Sequence, residues 1–459
     1  MGKTYKVAVK RTKNKYDGFS FEPQKKNKIP LIATSNVRLL NGNLQCGIGL
    51  ETMYNAYWDS IKHDMTSPAI DSVFYLSDRL KGATGLKTLG YLTETGLLYL
   101  YDEEEGAFVK THTFTGKMKM VSAIRRETND EQYFSMFVGE NGLFVHSAAA
   151  GIVELSTVKM LAMGCFCGGR AFYALDGHTI VYSAPFKPDD IQSALDGGGR
   201  LAIPGEYGIL TGMETLFDRV YLFFERGICY VDVQGDDRDM RVRRVAYGGG
   251  KICGKTVCNV SVDGKKAFFL ADDGIYAMNG EIVWRVAKNL DLKISNTSTC
   301  TRAAFDNTYL VTYIATDGNP CAVAVDMESE EGYFSVPFSK LCSIAGEAFC
   351  VADGAWHRVK RNGDLPDWTE YAVQSAWTDF NVDGRKTLEK IELFGEGRCK
   401  LTLSSDEDEK TAECVFVNGR CTCDFSLRGK EFGLRFVLRK DCKLKGLNVT
   451  TQSLQSQLA

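Results

Sequence analysis

The residues best suited to chemistry are few. Five histidines occur, His63, His112, His146, His178 and His357. No two form H-x-x-H or H-E-x-x-H, and none lies close in sequence to a candidate Ser or Cys nucleophile. Neither a helical zinc site nor a nucleophile–base pair is therefore legible, and His178, directly after Gly177, is expected to be a turn residue. Fifteen cysteines include two C-x-C pairs, Cys165/Cys167 and Cys421/Cys423. A zinc site prefers matched C-x2-4-C sets, whereas alternate strand positions put both sulfurs on one face. These thiols are expected to be reduced core residues, with a metal or redox role as the rarer alternative. The acidic run Asp406 to Glu409 lacks the spacing and loop glycine of a calcium loop and reads as a solvated turn. The triple-glycine runs at 197–199 and 248–250 are not followed by a Lys-Ser/Thr helix start, and no G-x-S-x-G elbow is present. Paired carboxylates converging from separate strands remain an alternative route to a glycosidase. The expectation is no catalytic residue, no cofactor and no metal, so function falls to surfaces.

Such surfaces need a frame, and the chain carries one as a repeat. An aromatic-rich strand, a polar residue with glycine, and a second apolar strand recur with glycines at Gly96, Gly142, Gly177, Gly227, Gly274, Gly318 and Gly354. Their spacings average 43 residues. In five of the seven the glycine follows Asn or Asp (Asn141, Asp176, Asp273, Asp317 and Asp353), the signal for a hairpin whose type I′ turn needs φ > 0 at both central residues. A period near 43 in an all-β pattern predicts propeller blades, each burying its faces against neighbours. The fold class expected is all-β: a seven-bladed β-propeller over residues 51–365, an extended N-terminal arm and a small C-terminal β-sandwich. VFYLSD (Val73 to Asp78) is expected to pair with the last blade and shut the ring. Trp-Asp occurs once, at Trp58-Asp59, and no sialidase-type box is present.

Composition agrees with this frame. Of 459 residues, 45 are Gly and 26 Phe but only 9 are Pro, which suits short strands and tight turns. The net charge of −3 excludes a global basic field, yet it hides an asymmetry. Residues 1–30 hold Lys3, Lys6, Lys10, Arg11, Lys13, Lys15, Lys25, Lys26 and Lys28 against Asp17 and Glu22, or +7, leaving −10 elsewhere. This segment, within a division 1–50, is expected to be an extended arm that docks on an acidic partner or on DNA phosphates. Its deletion is expected to spare the melt. No apolar signal region follows its lysines, and no run of about 18 apolar residues predicts a membrane span.

Residues 366–459 lose the hairpin repeat and alternate as six or seven short strands, with turn signals such as Asn418-Gly419; this is the pattern of a small sandwich. Helix is scarce, with single turns expected at Pro188 to Leu195 and Val158 to Met163.

Several stretches also resemble a known family. They are SNVRLLNGNLQCGIGL (Ser35 to Leu50), TIVYSAPFKPDDI (Thr179 to Ile191), GILTGMETLFDRVYLFFERGICYVDV (Gly208 to Val233), GKTVCNVSVDGKKAFFLADDGIYAMNG (Gly254 to Gly280) and QSAWTDFNVDGRKTLEKIELF (Gln374 to Phe394). In this order they resemble the propeller-bearing structural proteins of tailed bacteriophages and prophages, found at the head–tail connector or tail, including the packaged-DNA stabilisation type. The resemblance implies a non-enzymatic virion protein, made in the host bacterial cytoplasm. It implies a homo-oligomeric ring with portal, adaptor or tail subunits as partners, possible DNA contact by the basic arm, and no membrane. A tail-tip receptor- or glycan-binding module and a glycoside-processing propeller enzyme are the alternatives. The many cysteines favour an internal connector over an exposed tip.

Overall fold

The computed structural model describes residues 5–458, apart from 22–24, 53–69, 77–78, 81–87, 103, 128–129, 148–150, 192–196, 234–239, 260–265, 297–298, 336–337, 339, 345–346, 353–354 and 362–369. Lys3, Trp58-Asp59, His63, Asp78, Asp353-Gly354 and the boundary at Pro366 lie outside the described residues.

Antiparallel sheets recur along the chain. One takes strands Ile70–Leu76, Thr88–Thr93, Leu97–Asp102 and Ala107–Thr113. Another takes Met118–Glu127, Asp130–Gly139, Gly142–Ser147 and Gly151–Ser156, with short Arg79–Leu80 beside its second strand. Gly164–Cys167, Arg170–Ala174, Thr179–Tyr182 and Gly199–Ala202 follow, then Leu210–Leu216, Arg219–Phe224, Gly227–Val231 and Val242–Val245. Ile252–Asn259, Ala267–Ala271, Gly274–Met278 and Val283–Val286 come next. The following sheet centres on Thr308–Ala315 and Pro320–Asp326, flanked by Ile294–Asn296, Arg302–Phe305 and Gly332–Phe334. The last holds Lys340–Ile344, Glu347–Ala352 and Ala355–Arg361, and its fourth strand is Ile48–Thr52. The first strands touch in turn from 70–76 through 118–127, 164–167, 210–216, 252–259 and 302–305 to 340–344, which returns to 70–76. The ring is closed, and the fold is an all-β propeller.

Its energetics follow from burial on both faces. Strands such as Arg219–Phe224, Gly227–Val231 and Ala267–Ala271 are almost wholly buried, which is why they read as continuous apolar runs. Phe223 and Phe269 meet at 5.7 Å between adjacent sheets, and Phe268 stacks on Tyr309 at 5.6 Å across the next interface. Each buried ring contributes on the order of 1.5–3 kcal/mol.

The described turn glycines all join the second strand of a sheet to the third. The expected turn type differs. Asn141, Asp176, Asp273 and Asp317 are absent from the positive-φ residues. Asp176 and Asp317 instead accept the backbone N–H two residues on, from His178 at 2.7 Å and Asn319 at 3.0 Å, which are Asx turns. Paired positive φ occurs at the first-to-second turns, at Gly168-Gly169, Phe217-Asp218 and Asp306-Asn307.

Ring closure also differs. Ile70–Leu76 pairs with Thr88–Thr93 as an inner strand, and Ile48–Thr52 pairs with Ala355–Arg361. Among the described residues there is no helix. In place of the turn expected at 158–163, Met160 N–H donates to Gly139 and Leu161 N–H to Ala174, so neighbouring sheets take the donors a helix would use. Pro188 to Asp190 is a turn closed by Asp190 N–H on Lys187 O at 3.0 Å.

The expected arm is not extended away from the fold. Tyr5–Tyr16 pairs along its length with Lys443–Leu458 in one C-terminal sheet, which also holds Lys386–Glu396, Arg420–Gly429, Val37–Leu40 and Asn43–Cys46. Tyr16 and Phe19 are buried, 5.9 Å from Phe380 and 5.8 Å from Phe436. The division at residue 50 therefore does not separate bodies in space. A second sheet runs Ile29–Ser35, Tyr371–Ser375, Phe432–Leu438, Arg398–Ser405 and Glu409–Val415. Leu31, Leu388, Phe436 and Leu447 from the two sheets share one core.

This second sheet continues into the propeller where Ser35 pairs with Phe334. Asn36, at φ +51°, donates its N–H to Phe334 O at 2.6 Å, and its side-chain oxygen accepts from Ile48 N–H at 3.0 Å. Arg38 pairs with the buried Asp326 at 3.5 Å across the same junction.

Candidate functional site

Among the described residues, the channel at the ring centre and the basic edge strand are two surfaces that can bind something. The first strands converge on the axis, so their side chains line a cavity of about 740 Å³. Asp71, Glu94, Glu140 and Glu214 face it together with Lys117, Lys119, Lys255, Arg302 and Lys340. Lys117 meets Asp71 at 2.6 Å, and Lys340 meets Glu94 at 2.6 Å. Glu214 receives Lys119 at 3.1 Å and Arg302 at 3.3 Å. The Lys340 hydrogen bond holds the Glu94 carboxyl below the usual range. The wall itself is tied by Thr301, whose hydroxyl accepts Leu341 N–H at 3.0 Å and pairs with Thr312 at 2.9 Å.

The basic segment forms the outer edge of its sheet. Lys10, Arg11, Lys13 and Lys15 are exposed, while Thr12 and Asn14 turn inward. Arg11 meets Glu389 at 3.1 Å, Lys13 meets Glu392 at 2.7 Å, and Lys15 meets Asp17 at 2.9 Å. Lys28 donates to the Asp17 carbonyl at 2.5 Å, and Lys25 and Lys26 are exposed in the following turn. Part of the positive excess is thus matched within the fold, and the lysines lie along an unpaired strand edge, where they discourage pairing with other chains.

The remaining candidates fall into place around these surfaces. His178 is a turn residue whose carbonyl accepts Ile203 N–H at 2.9 Å. His112 packs on Phe114 at 4.6 Å, and burial lowers its pKa. The acidic run caps a turn, with Ser405 Oγ accepting the N–H groups of Glu407 and Asp408. Cys165 and Cys167 are buried core thiols. Cys421 and Cys423 share a face, as the i, i+2 spacing implies, but they meet Cys414, a neighbour that spacing did not indicate.

No family model matches the chain, and no curated protein matches it. Among solved structures, the RRP9 WD40 repeats match at 9% identity and a TM-score of 0.39, covering 66% of this chain and 94% of that one. The β-propeller domain of Myceliophteria thermophila Cps50 (Swd1) matches at 11% identity and 0.38, covering 64% and 96%. Chaetomium thermophilum Raptor matches at 11% identity and 0.40, covering 65% of this chain and 29% of that one.

Proposed function

We propose that this chain is a non-enzymatic structural component of a tailed-phage virion, a seven-bladed propeller joined to a small β-sandwich. It assembles in several copies at the head–tail connector or tail. The observation that carries the reading is the hydrogen-bonded sheet running from the propeller through Ser35 into the C-terminal unit. With Asn36 and the Arg38–Asp326 pair, it resists movement between the two bodies, which suits a part that transmits load. The count of seven is supported by the run of touching first strands, and the sandwich by two sheets over one core.

A non-enzymatic role is supported by the channel. Asp71, Glu94 and Glu214 are engaged by cations, and a glycosidase acid needs its pKa raised, the opposite of Glu94. The phage assignment is supported by the ordered stretches that resemble the virion proteins. Portal, adaptor or tail subunits are then its neighbours, and the exposed Lys10, Lys25 and Lys26 face a partner or the exiting DNA. Mass spectrometry and electron microscopy of purified particles test this. Several copies of the chain at the head–tail junction are expected; recovery only as a free monomer overturns the reading. Binding to a glycan array would point to the tail-tip alternative, and polysaccharide turnover to the enzyme.

A further inference from the structure

We propose that the C-terminal unit binds a zinc-class divalent ion through Cys414, Cys421 and Cys423. The three sulfurs lie within 4.8 Å of one another. Cys414 Sγ stands 3.3 Å from Cys423 Sγ, which stands 4.0 Å from Cys421 Sγ. A tetrahedral site with metal–sulfur bonds of about 2.3 Å requires sulfur separations of about 3.8 Å. The observed pair bracket that value, so side-chain adjustments of a few tenths of an ångström admit the ion. Cys399 lies directly opposite Cys414 across the ladder but outside this group of three.

The topology explains why these residues meet. Glu409–Val415 ends one C-terminal sheet and Arg420–Gly429 ends the other. The two strands are joined by the turn at Asn418-Gly419, where φ is positive at both residues. Cys414 is the inward position of the first strand, and Cys421 and Cys423 face inward on the second. An ion there fastens the corner where the two sheets part, beyond the Val417–Arg420 bridge that closes the turn. Cys414 and Cys423 are buried, while the half-exposed Cys421 leaves a path of entry. Each ligating thiol gives its proton to solvent as it binds, so three thiolates and a dication carry a net charge of −1.

The test uses the full chain purified under reducing conditions. Metal analysis is expected to find about one zinc per chain, and cobalt substitution to give sulfur-to-metal charge transfer with the d–d bands of a tetrahedral thiolate site. The C414S/C423S variant is expected to lose both signals, while C165S, far away in the propeller, keeps them. Should the double variant fail to fold, cobalt titration of the unaltered chain decides alone. Absence of thiolate charge transfer in that chain, its persistence in a folded C414S/C423S variant, or a Cys414–Cys423 disulfide in place of the ion overturns the proposal.

Discussion

The backbones of Gly212 and Gly254 press against each other where two first strands cross in the channel wall. A Cβ on Gly212 would stand 2.5 Å from the carbonyl carbon and oxygen of Gly254, and one on Gly254 2.4 Å from the Gly212 nitrogen. Thr211 Oγ1 accepts the Gly254 N–H at 3.1 Å and locks the crossing. Backbone cannot yield as a flexible side chain can, so Gly212→Ala and Gly254→Ala should each destabilise by about 1–3 kcal/mol. Urea unfolding measures this; unchanged midpoints would show that the strands do not touch.

Removal of residues 2–28 should lower the melting temperature strongly, because it strips an edge strand and the buried Tyr16 and Phe19. Phe19→Ala alone should cost about 3–5 kcal/mol. A melt unchanged by the deletion would restore the picture of a detached arm.

Breaking the Arg38–Asp326 pair should loosen the junction. Asp326 is buried and also accepts the N–H groups of Glu328 and Ser329. Arg38→Ala removes one of its partners while those donors remain, at a cost of about 1–3 kcal/mol. Limited proteolysis should then release the propeller from the C-terminal unit sooner than in the unaltered protein.

Stability should carry an acid-sensitive contribution from Glu392. Its carboxyl is pulled down to about 2 by a hydrogen bond from Asn448 and by the Lys13 ammonium. A depressed carboxylate stabilises fully above its ordinary value near 4.5 and loses that contribution as pH falls toward about 2. The group is partly exposed, so the effect is less than about 1 kcal/mol. Glu392→Gln should flatten the urea midpoint between those pH values and leave the slope above them unchanged.

Asp218→Gly should stabilise. Phe217 and Asp218 hold φ of +51° and +57° in a two-residue turn, a conformation that costs an L side chain but not glycine. A gain of about 0.5–1 kcal/mol in thermal unfolding is expected.

The repeat was legible because its signal is local: each polar-Gly step joins neighbours in sequence, and the described ones fall at one turn of each sheet. Ring closure was hidden, since Ile48–Thr52 meets a partner some 300 residues away and nothing in IGLET marks that register. The first strand was misread for a different reason. Its inward residues, Thr12 and Asn14, are polar, so the alternation carries no apolar period. Of the cysteine cluster, only the i, i+2 pair was readable. Cys414 joins it from the neighbouring strand, which sequence spacing does not encode.

The strand that fastens the ring also sets a clock. Ile48–Thr52 leaves the ribosome long before Ala355–Arg361 exists to receive it. At 5–20 residues per second, the wait is on the order of 15 to 60 s. Tyr5–Tyr16 waits longer still, for Lys443–Leu458 at the far end of the chain. Both strands must stay unclaimed through most of synthesis, and the lysines along the earlier one suit it to that interval. Neither the ring nor the C-terminal sheet can therefore be completed until residues 355–361 and 443–458 have been made and have captured the strands that precede them.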